Sequence, residues 1–307
     1  MREEQIYVRV PGSTSNLGAG FDSLGLAVNR YLELEVSESE TWQFDLESPC
    51  LAGLPTDQRN FIYETAAFVA SEAGCALPNC RVKVTSELPL ARGIGSSAAA
   101  IIAGIELADQ LLELKLTKSE KFHLGCRLEN HCDNLAASLL GGLVVTGQRN
   151  GGSRYLEAGV PDIEMVAVVP SYELKTSASR NILPNTLPFE TAVSGSSTAN
   201  MMIAAILQND WKLAGRLMEE DIFHQPYRAA FVPNLETAMV EAQQAGAYGA
   251  ALSGAGPAVM IFAAPGAGRT VVSRLKKLFT DDEVFVVHPD SSGVFSEKKI
   301  PFAEKAL

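Results

Sequence analysis

The segment PLARGIGSSAAAIIAG, residues 89–104, constrains this chain more tightly than any other. An alternating run, CRVKVTS (80–86), leads into it, and a series of good helix formers, SAAAIIAGIELADQLLELK (97–115), leads out. Alternation at every second residue marks a half-buried strand, and the later run puts Ile101, Ile105, Ala108 and Leu112 on one helical stripe. The chain therefore has to turn from strand to helix within a glycine-rich loop. Gly93 and Gly95 permit positive φ and close backbone approach because neither carries a Cβ. A helix start presents unpaired N–H groups and partial positive charge, so such a loop is suited to an anion. Ser96 and Ser97 can cap the helix and can offer hydroxyls to a phosphate oxygen or a magnesium ion.

Two familiar phosphate-binding patterns are absent: the chain has neither G-x-x-x-x-G-K-[ST] nor G-x-G-x-x-G at this loop. Net charge makes the question sharper. With 25 Lys and Arg against 36 Asp and Glu, the formal charge is -11. A nucleic-acid surface or an anionic membrane face would have to be built against that field, so neither is expected as a partner. Any anionic ligand must instead be held by individually placed arginines, lysines, N–H groups or metal. No apolar run of about eighteen residues occurs, and the charged start MREEQIYVRV is unlike a signal peptide, so a cytoplasmic location is expected. The five cysteines, Cys50, Cys75, Cys80, Cys126 and Cys132, form no C-x-x-C pair and are expected to be reduced thiols packed as small hydrophobes.

Along the chain, YVRVP, LELEV and CRVKVTS alternate as strands, and NFIYETAAFVASEAG (60–74) has helical spacing that stops at Gly74. A helix is expected from Lys118 to Glu129, and Gly141 and Gly142 precede a short strand. The polar turn GQRNGGSR then gives way to the continuous apolar run IEMVAVVP, which suits a fully buried strand. A domain boundary is expected near residue 160, dividing the chain into 1–160 and 161–307. The second half alternates helices and strands in an α+β arrangement. Its stretch from 170 to 200, rich in Ser, Thr and Pro, is a candidate lid.

Pro89, three residues and then G-I-G-S-S-A-A resembles the nucleotide-binding motif of the GHMP kinases, small-molecule kinases whose loop wraps the ATP phosphates. Two further blocks occur in family order. VPGSTSNLGAGFDSLGLAVN resembles the substrate motif of the homoserine kinases within that superfamily, and GAALSGAGPAVMIFA resembles its third glycine-rich motif. ENHCDN is similar to that group's E-G-H-P-D-N, with Asn130 and Cys132 replacing glycine and proline. KTSASRNILP and HQPYRAAFVP match its S/T-x-x-x-R-x-x-L-P and H-x-P-x-R settings.

The resemblance implies the GHMP kinase two-domain fold of α+β class. Its N-terminal ATP-binding domain would resemble the second domain of a ribosomal small-subunit protein, and its C-terminal domain would be ferredoxin-like, with the active site in the cleft between them. It implies ATP as phosphoryl donor, bound by Asn60, Pro89, Arg92, Gly93, Ile94, Gly95, Ser96, Ser97, Ser253, Gly254 and Gly256. Mg2+ would be held by Ser97 and Glu129. The substrate L-homoserine would be bound by Asn16, Asp22, His131, Asn134, Arg180 and Arg228, with Thr176, Arg180 and Asn134 nearest the reacting groups. An arginine fork is the natural partner of an amino-acid carboxylate, and Asp22 can take an ammonium or a hydroxyl. Read from the residues alone, Asn60 and Asn134 could equally cap helices and Asp22 a turn.

The product would be O-phospho-L-homoserine, on the route to threonine. Homoserine kinases are thought to lack a dedicated carboxylate base, and Asn134 stands where relatives place an aspartate, so positioning and electrostatics are expected to dominate. Family members are often dimers, which makes a homodimer an expectation. The alternatives are a GHMP kinase for an isoprenoid or a sugar, and a non-catalytic sensor of the same fold.

Overall fold

The computed structural model describes residues 5–129, 131–149 and 152–299. The first part of the chain comprises β1 (Gln5–Ser15), β2 (Leu24–Glu38), β3 (Gln43–Leu46), α1 (Phe61–Glu72), β4 (Cys80–Ser86), α2 (Ser96–Leu112), α3 (Lys118–Leu128), α4 (Cys132–Leu140), β5 (Leu143–Arg149) and β6 (Gly152–Glu157). Alternation in the sequence becomes pairing: Val8 faces Leu34 and Val10 faces Leu32 across the antiparallel β1–β2 ladder. Beyond a register shift at Pro11/Gly12, β1 continues to Ser15, so the first glycine-containing motif begins as strand. β4 and β3 extend the sheet on one side, β3 in parallel, while β5 pairs with the opposite half of β2 and with β6.

Helix α2 lies at the centre of this layer. Ile101, Ile102, Ile105 and Leu107 are all buried, so the helix is covered on nearly every side where the sequence suggested one stripe. Burying each such side chain is worth roughly 1.5–3 kcal/mol. Glu106 and Asp109 are drawn into the interior as well, and both are met by Lys121 Nζ of α3, at 2.5 and 2.6 Å. A buried charge needs such a partner to be tolerated.

The second part comprises β7 (Glu164–Val169), α5 (Thr176–Asn181), α6 (Phe189–Leu207), α7 (Trp211–Glu219), α8 (Gln225–Arg228), α9 (Leu235–Gln244), β8 (Gly249–Leu252), β9 (Val259–Ala263), α10 (Gly268–Leu275), β10 (Glu283–Val287) and β11 (Phe295–Lys299). Strands β7 to β10 form an antiparallel sheet in the order β10-β7-β9-β8, a β-α-β-β-α-β layout of ferredoxin type. Its two faces are both buried. Met165, Ala167, Val169, Met260 and Phe262 join the large core shared with the first sheet, while Val166, Val168, Val259 and Ile261 pack with α9 and α10. That is why IEMVAVVP reads as a continuous apolar run. The chain passes between the sheets after Glu157, but β11 returns to pair with β1, which a single cut near residue 160 does not describe.

Candidate active site

The glycine loop is held from three directions. Gly95, at φ +72°, is the N-cap of α2, so Ser96 and Ser97 occupy the first helical positions and neither caps the helix with its side chain. This corrects the expectation of a serine cap, and both serines line the cavity described below. A Cβ on Gly95 would stand 2.3 Å from Ser13 Oγ, and one on Gly93, at φ +83°, would stand 2.4 Å from Ser253 O. Side chains at these positions would therefore push the loop off β1 and off the third glycine-rich motif. Ser253 Oγ donates to Gly93 O (2.6 Å) and lies 2.8 Å from Thr14 Oγ1, and the Gly254 N–H reaches Ser15 O at 3.2 Å.

A cavity of about 500 Å³ runs from this loop to the N-terminal end of α5. One end is apolar, walled by Leu46, Leu51, Leu54, Ile62, Val84 and Leu88. The other end is polar, with Asn16, Asp22, His131, Asn134, Thr176, Arg180 and Arg228 on its wall. Gly93, Gly95, Ser96, Ser97, Glu129, Gly254 and Gly256 also line the cavity, as does Asn60. Residues from both parts of the chain thus meet in one space.

Four of the residues expected at the nucleotide do not line it. Ile94 is 1% exposed, and Ser253 is buried behind Gly93. Pro89 is likewise outside the cavity wall. Arg92 turns away, donating to Pro170 O (2.9 Å), Ser171 O (2.6 Å) and Leu90 O (3.1 Å). A guanidinium satisfied by backbone carbonyls braces the loop against segment 170–173, so its part is mechanical. Asn60 caps α1: its Oδ1 accepts from the Ile62 N–H and its Nδ2 donates to Pro55 O.

At the polar end, Asp22 and Arg180 form a two-point ion pair (3.0 and 2.5 Å), and Arg180 Nε is buried with no hydrogen-bond partner among the described residues. Arg228 is 1% exposed and donates through Nη1 to Gly254 O (3.0 Å) and through Nε to Ser179 O (3.2 Å). Burial, and then the charge of Arg180, bring its pKa down to about 10, which still leaves it cationic at neutral pH. Both guanidinium groups lie over the Phe21 ring, at 5.4 and 5.3 Å. Phe21 in turn stacks on His224. Burial holds the His224 imidazole down to about 4; being neutral, it accepts from Arg228 Nη1 at Nδ1 (3.2 Å) and donates from Nε2 to Gly18 O (3.0 Å).

Asn16 is a joint as well as a wall residue. In the left-handed region at φ +71°, it donates from Nδ2 to Gly254 O and accepts the Asp22 N–H at Oδ1. Asn134 does similar work, accepting from Ser13 Oγ (2.9 Å) and donating to Ser15 Oγ (2.7 Å). His131 Nδ1 lies 3.0 Å from Glu129 Oε1. Asn130, between them, lies outside the described residues.

Sequence reasoning passed over Asp133, which sits inside ENHCDN beside the residues that were chosen. It is 1% exposed, lines the cavity and accepts the Asn134 N–H; burial pushes its carboxyl up to about 6. Phe21 was also missed as part of the arginine platform, although it lies within a quoted motif, and His224, paired with Arg228 in the H-x-P-x-R setting, was given no role there. Two cysteines depart from expectation too: a disulfide links Cys126 and Cys132, while Cys50, Cys75 and Cys80 are free.

The description "GHMP kinases N terminal domain" matches residues 60–142, and "GHMP kinases C terminal" matches residues 202–281. The homoserine kinase of Bacillus velezensis is 46% identical over 291 residues, covering 95% of this chain and 94% of its own length. That of Halalkalibacterium halodurans is 46% identical over 94% of this chain and 93% of its own length. The crystal structure of homoserine kinase from Cytophaga hutchinsonii superposes with a TM-score of 0.85 at 27% identity, covering 95% of this chain and 97% of that one. Full-length identity at this level, with the expected glycine loop and arginine pair meeting in one cavity, places the chain among the homoserine kinases of the GHMP kinase family.

Proposed function

We propose that this chain transfers the γ-phosphoryl group of ATP to the side-chain hydroxyl of L-homoserine, giving O-phospho-L-homoserine. The observation that carries this reading is the single cavity with a helix start at one point and paired arginines with an aspartate at another. An apolar wall suits a nucleobase, and the N–H groups opening α2 suit phosphate oxygens. The polar end suits a zwitterion: Arg180 and Arg228 for its carboxylate, Asp22 for its ammonium. The partnerless Arg180 Nε fits that assignment, because a buried donor is costly until an acceptor reaches it.

Magnesium would be held by Ser97 and Glu129. Both line the cavity, both offer the oxygen donors this ion prefers, and the Ser97 side chain is not engaged in capping. No group of three or more His, Cys, Asp or Glu among the described residues is placed to hold a metal, so phosphate oxygens and water would complete the shell. The ion would neutralise charge on the transferring group. The protein's share is alignment: Asn134, fixed by Ser13 and Ser15, and Thr176, at the start of α5, border the place of the acceptor hydroxyl. A homodimer and a cytoplasmic location belong to the same proposal. No helix among the described residues is long and apolar enough to cross a membrane.

The test is ADP release from Mg-ATP in a coupled assay, with L-homoserine, L-threonine, mevalonate and galactose as separate acceptors. Turnover with homoserine well above the rest is expected. ATP binding without homoserine-dependent turnover would overturn the reading.

A further inference from the structure

Cys126 lies in the last turn of α3 and Cys132 opens α4; their Cα atoms are 5.6 Å apart and a disulfide joins them. Between them stand Glu129, the C-cap of α3, and His131, the N-cap of α4, and both line the cavity. Just beyond the bridge, Asp133 and Asn134 occupy the first turn of α4 on the same wall. The bond therefore closes the neck of the loop that presents the site's carboxylate and imidazole. It spans only six positions. A short closure removes less freedom from the unfolded chain than a long one, so this bridge acts chiefly on local geometry. The two residues differ in exposure: Cys132 is 4% exposed and Cys126 is half-buried, so Cys126 is the more open side for attack by a small thiol. Cys75, which is exposed, has formed no disulfide, so pairing here follows from the fold and not from exposure.

We propose that Cys126 and Cys132 are a reversible dithiol–disulfide couple that sets the affinity of the active site, exchanging with low-molecular-weight thiols and disulfides. In the reducing direction a thiolate attacks Cys126 Sγ and the Sγ–Sγ bond breaks. Cys132 leaves as thiolate and takes up a proton. A second thiol then attacks the mixed disulfide, releasing Cys126 as a thiol and the small disulfide; two electrons pass from the two small thiols to the protein. A small disulfide drives the reverse. The bridged form has Glu129, His131 and Asn134 together on one wall, so it is the binding-competent form, and opening the neck weakens binding of Mg-ATP. This regulation rests on the kinase reading above.

The test equilibrates the whole protein in glutathione buffers of varied ratio. Alkylation and mass spectrometry count the bridged fraction, while a fluorescent ATP analogue with Mg2+ reports Kd and the coupled assay reports turnover. The bridge is expected to titrate as a two-electron couple, with Kd rising about 3–10-fold on full reduction. Cys126→Ser should hold the weaker value in every buffer, and Cys75→Ser should respond as the unaltered protein does. Free thiols at Cys126 and Cys132 at every ratio, or a bridge that forms without changing Kd, would overturn the proposal. Because the redox titration of the unaltered protein decides the matter, a variant that fails to fold does not obscure it. Redox-dependent nucleotide binding with no homoserine turnover in either state would support the couple and remove the homoserine reading instead.

Discussion

Arg180 and Asp22 face each other across the cavity wall as a two-point ion pair, each occupying the group that a zwitterionic substrate would need. Binding such a substrate is then an exchange of partners. Its carboxylate takes over the guanidinium and its ammonium takes over the carboxylate. Both groups are partly exposed, so the resting pair is screened and its exchange is inexpensive.

The exchange predicts coupled effects. Asp22→Ala and Arg180→Ala should each raise the homoserine KM by about 10–100-fold, the worth of one charge-assisted bond set. The double variant should fall short of the product, because each single change also strands the other's charge. Steady-state kinetics on the four proteins measure this, and strict multiplication would contradict the shared pocket.

Arg228 differs in being buried, with Gly254 O and Ser179 O as partners. Arg228→Lys cannot reproduce that fork. The homoserine KM should rise by about tenfold or more and the melting temperature should fall, while the ATP KM stays within about twofold. Equal effects on both substrates would contradict the carboxylate assignment.

Gly95 and Gly53 make a matched comparison, since both have positive φ but only Gly95 has close neighbours. Gly53→Ala should cost about 1–2 kcal/mol and leave kinetics unchanged. Gly95→Ala adds a collision with Ser13 and should also raise the ATP KM by about tenfold or more through a displaced helix start. Urea unfolding and nucleotide titration separate the two contributions.

His224 sets an acid limit. Burial holds its pKa near 4, below the ordinary value of 6.5, so the folded state resists a proton that the unfolded chain accepts. This contribution to stability is complete above 6.5 and is lost as pH falls toward 4. His224→Gln should therefore lose less stability between pH 7.5 and pH 4, by at most about 3 kcal/mol. Unfolding free energies at three pH values in that interval check the sign. A parallel slope in both proteins would show that His224 does not contribute.

The glycine loop, the helix after it and the α+β character of the second half were legible in local pattern, through strand alternation and helical spacing. The ferredoxin-like arrangement and the arginine pair were legible only through the motifs' resemblance to a family. Reading failed where a residue's neighbour comes from far along the chain. Arg92 looked like a phosphate ligand until the carbonyls of Pro170 and Ser171 claimed it. Ser96 and Ser97 looked like caps, yet Gly95 takes that place because the loop must pass close to Ser13.

By itself the sequence determined the elements, the family and the chemical types at the site, since these follow from short-range periodicity and from side-chain chemistry. Tertiary structure alone decided which polar groups face the cavity and which are consumed in holding it. Asn16 and Gly254 lie 238 positions apart, and Cys126 meets Cys132 only because α3 and α4 pack together. A hydrogen-bonding side chain serves whichever partner the fold delivers, and burial then shifts its ionisation toward the neutral form, as it does for Asp133 and His224.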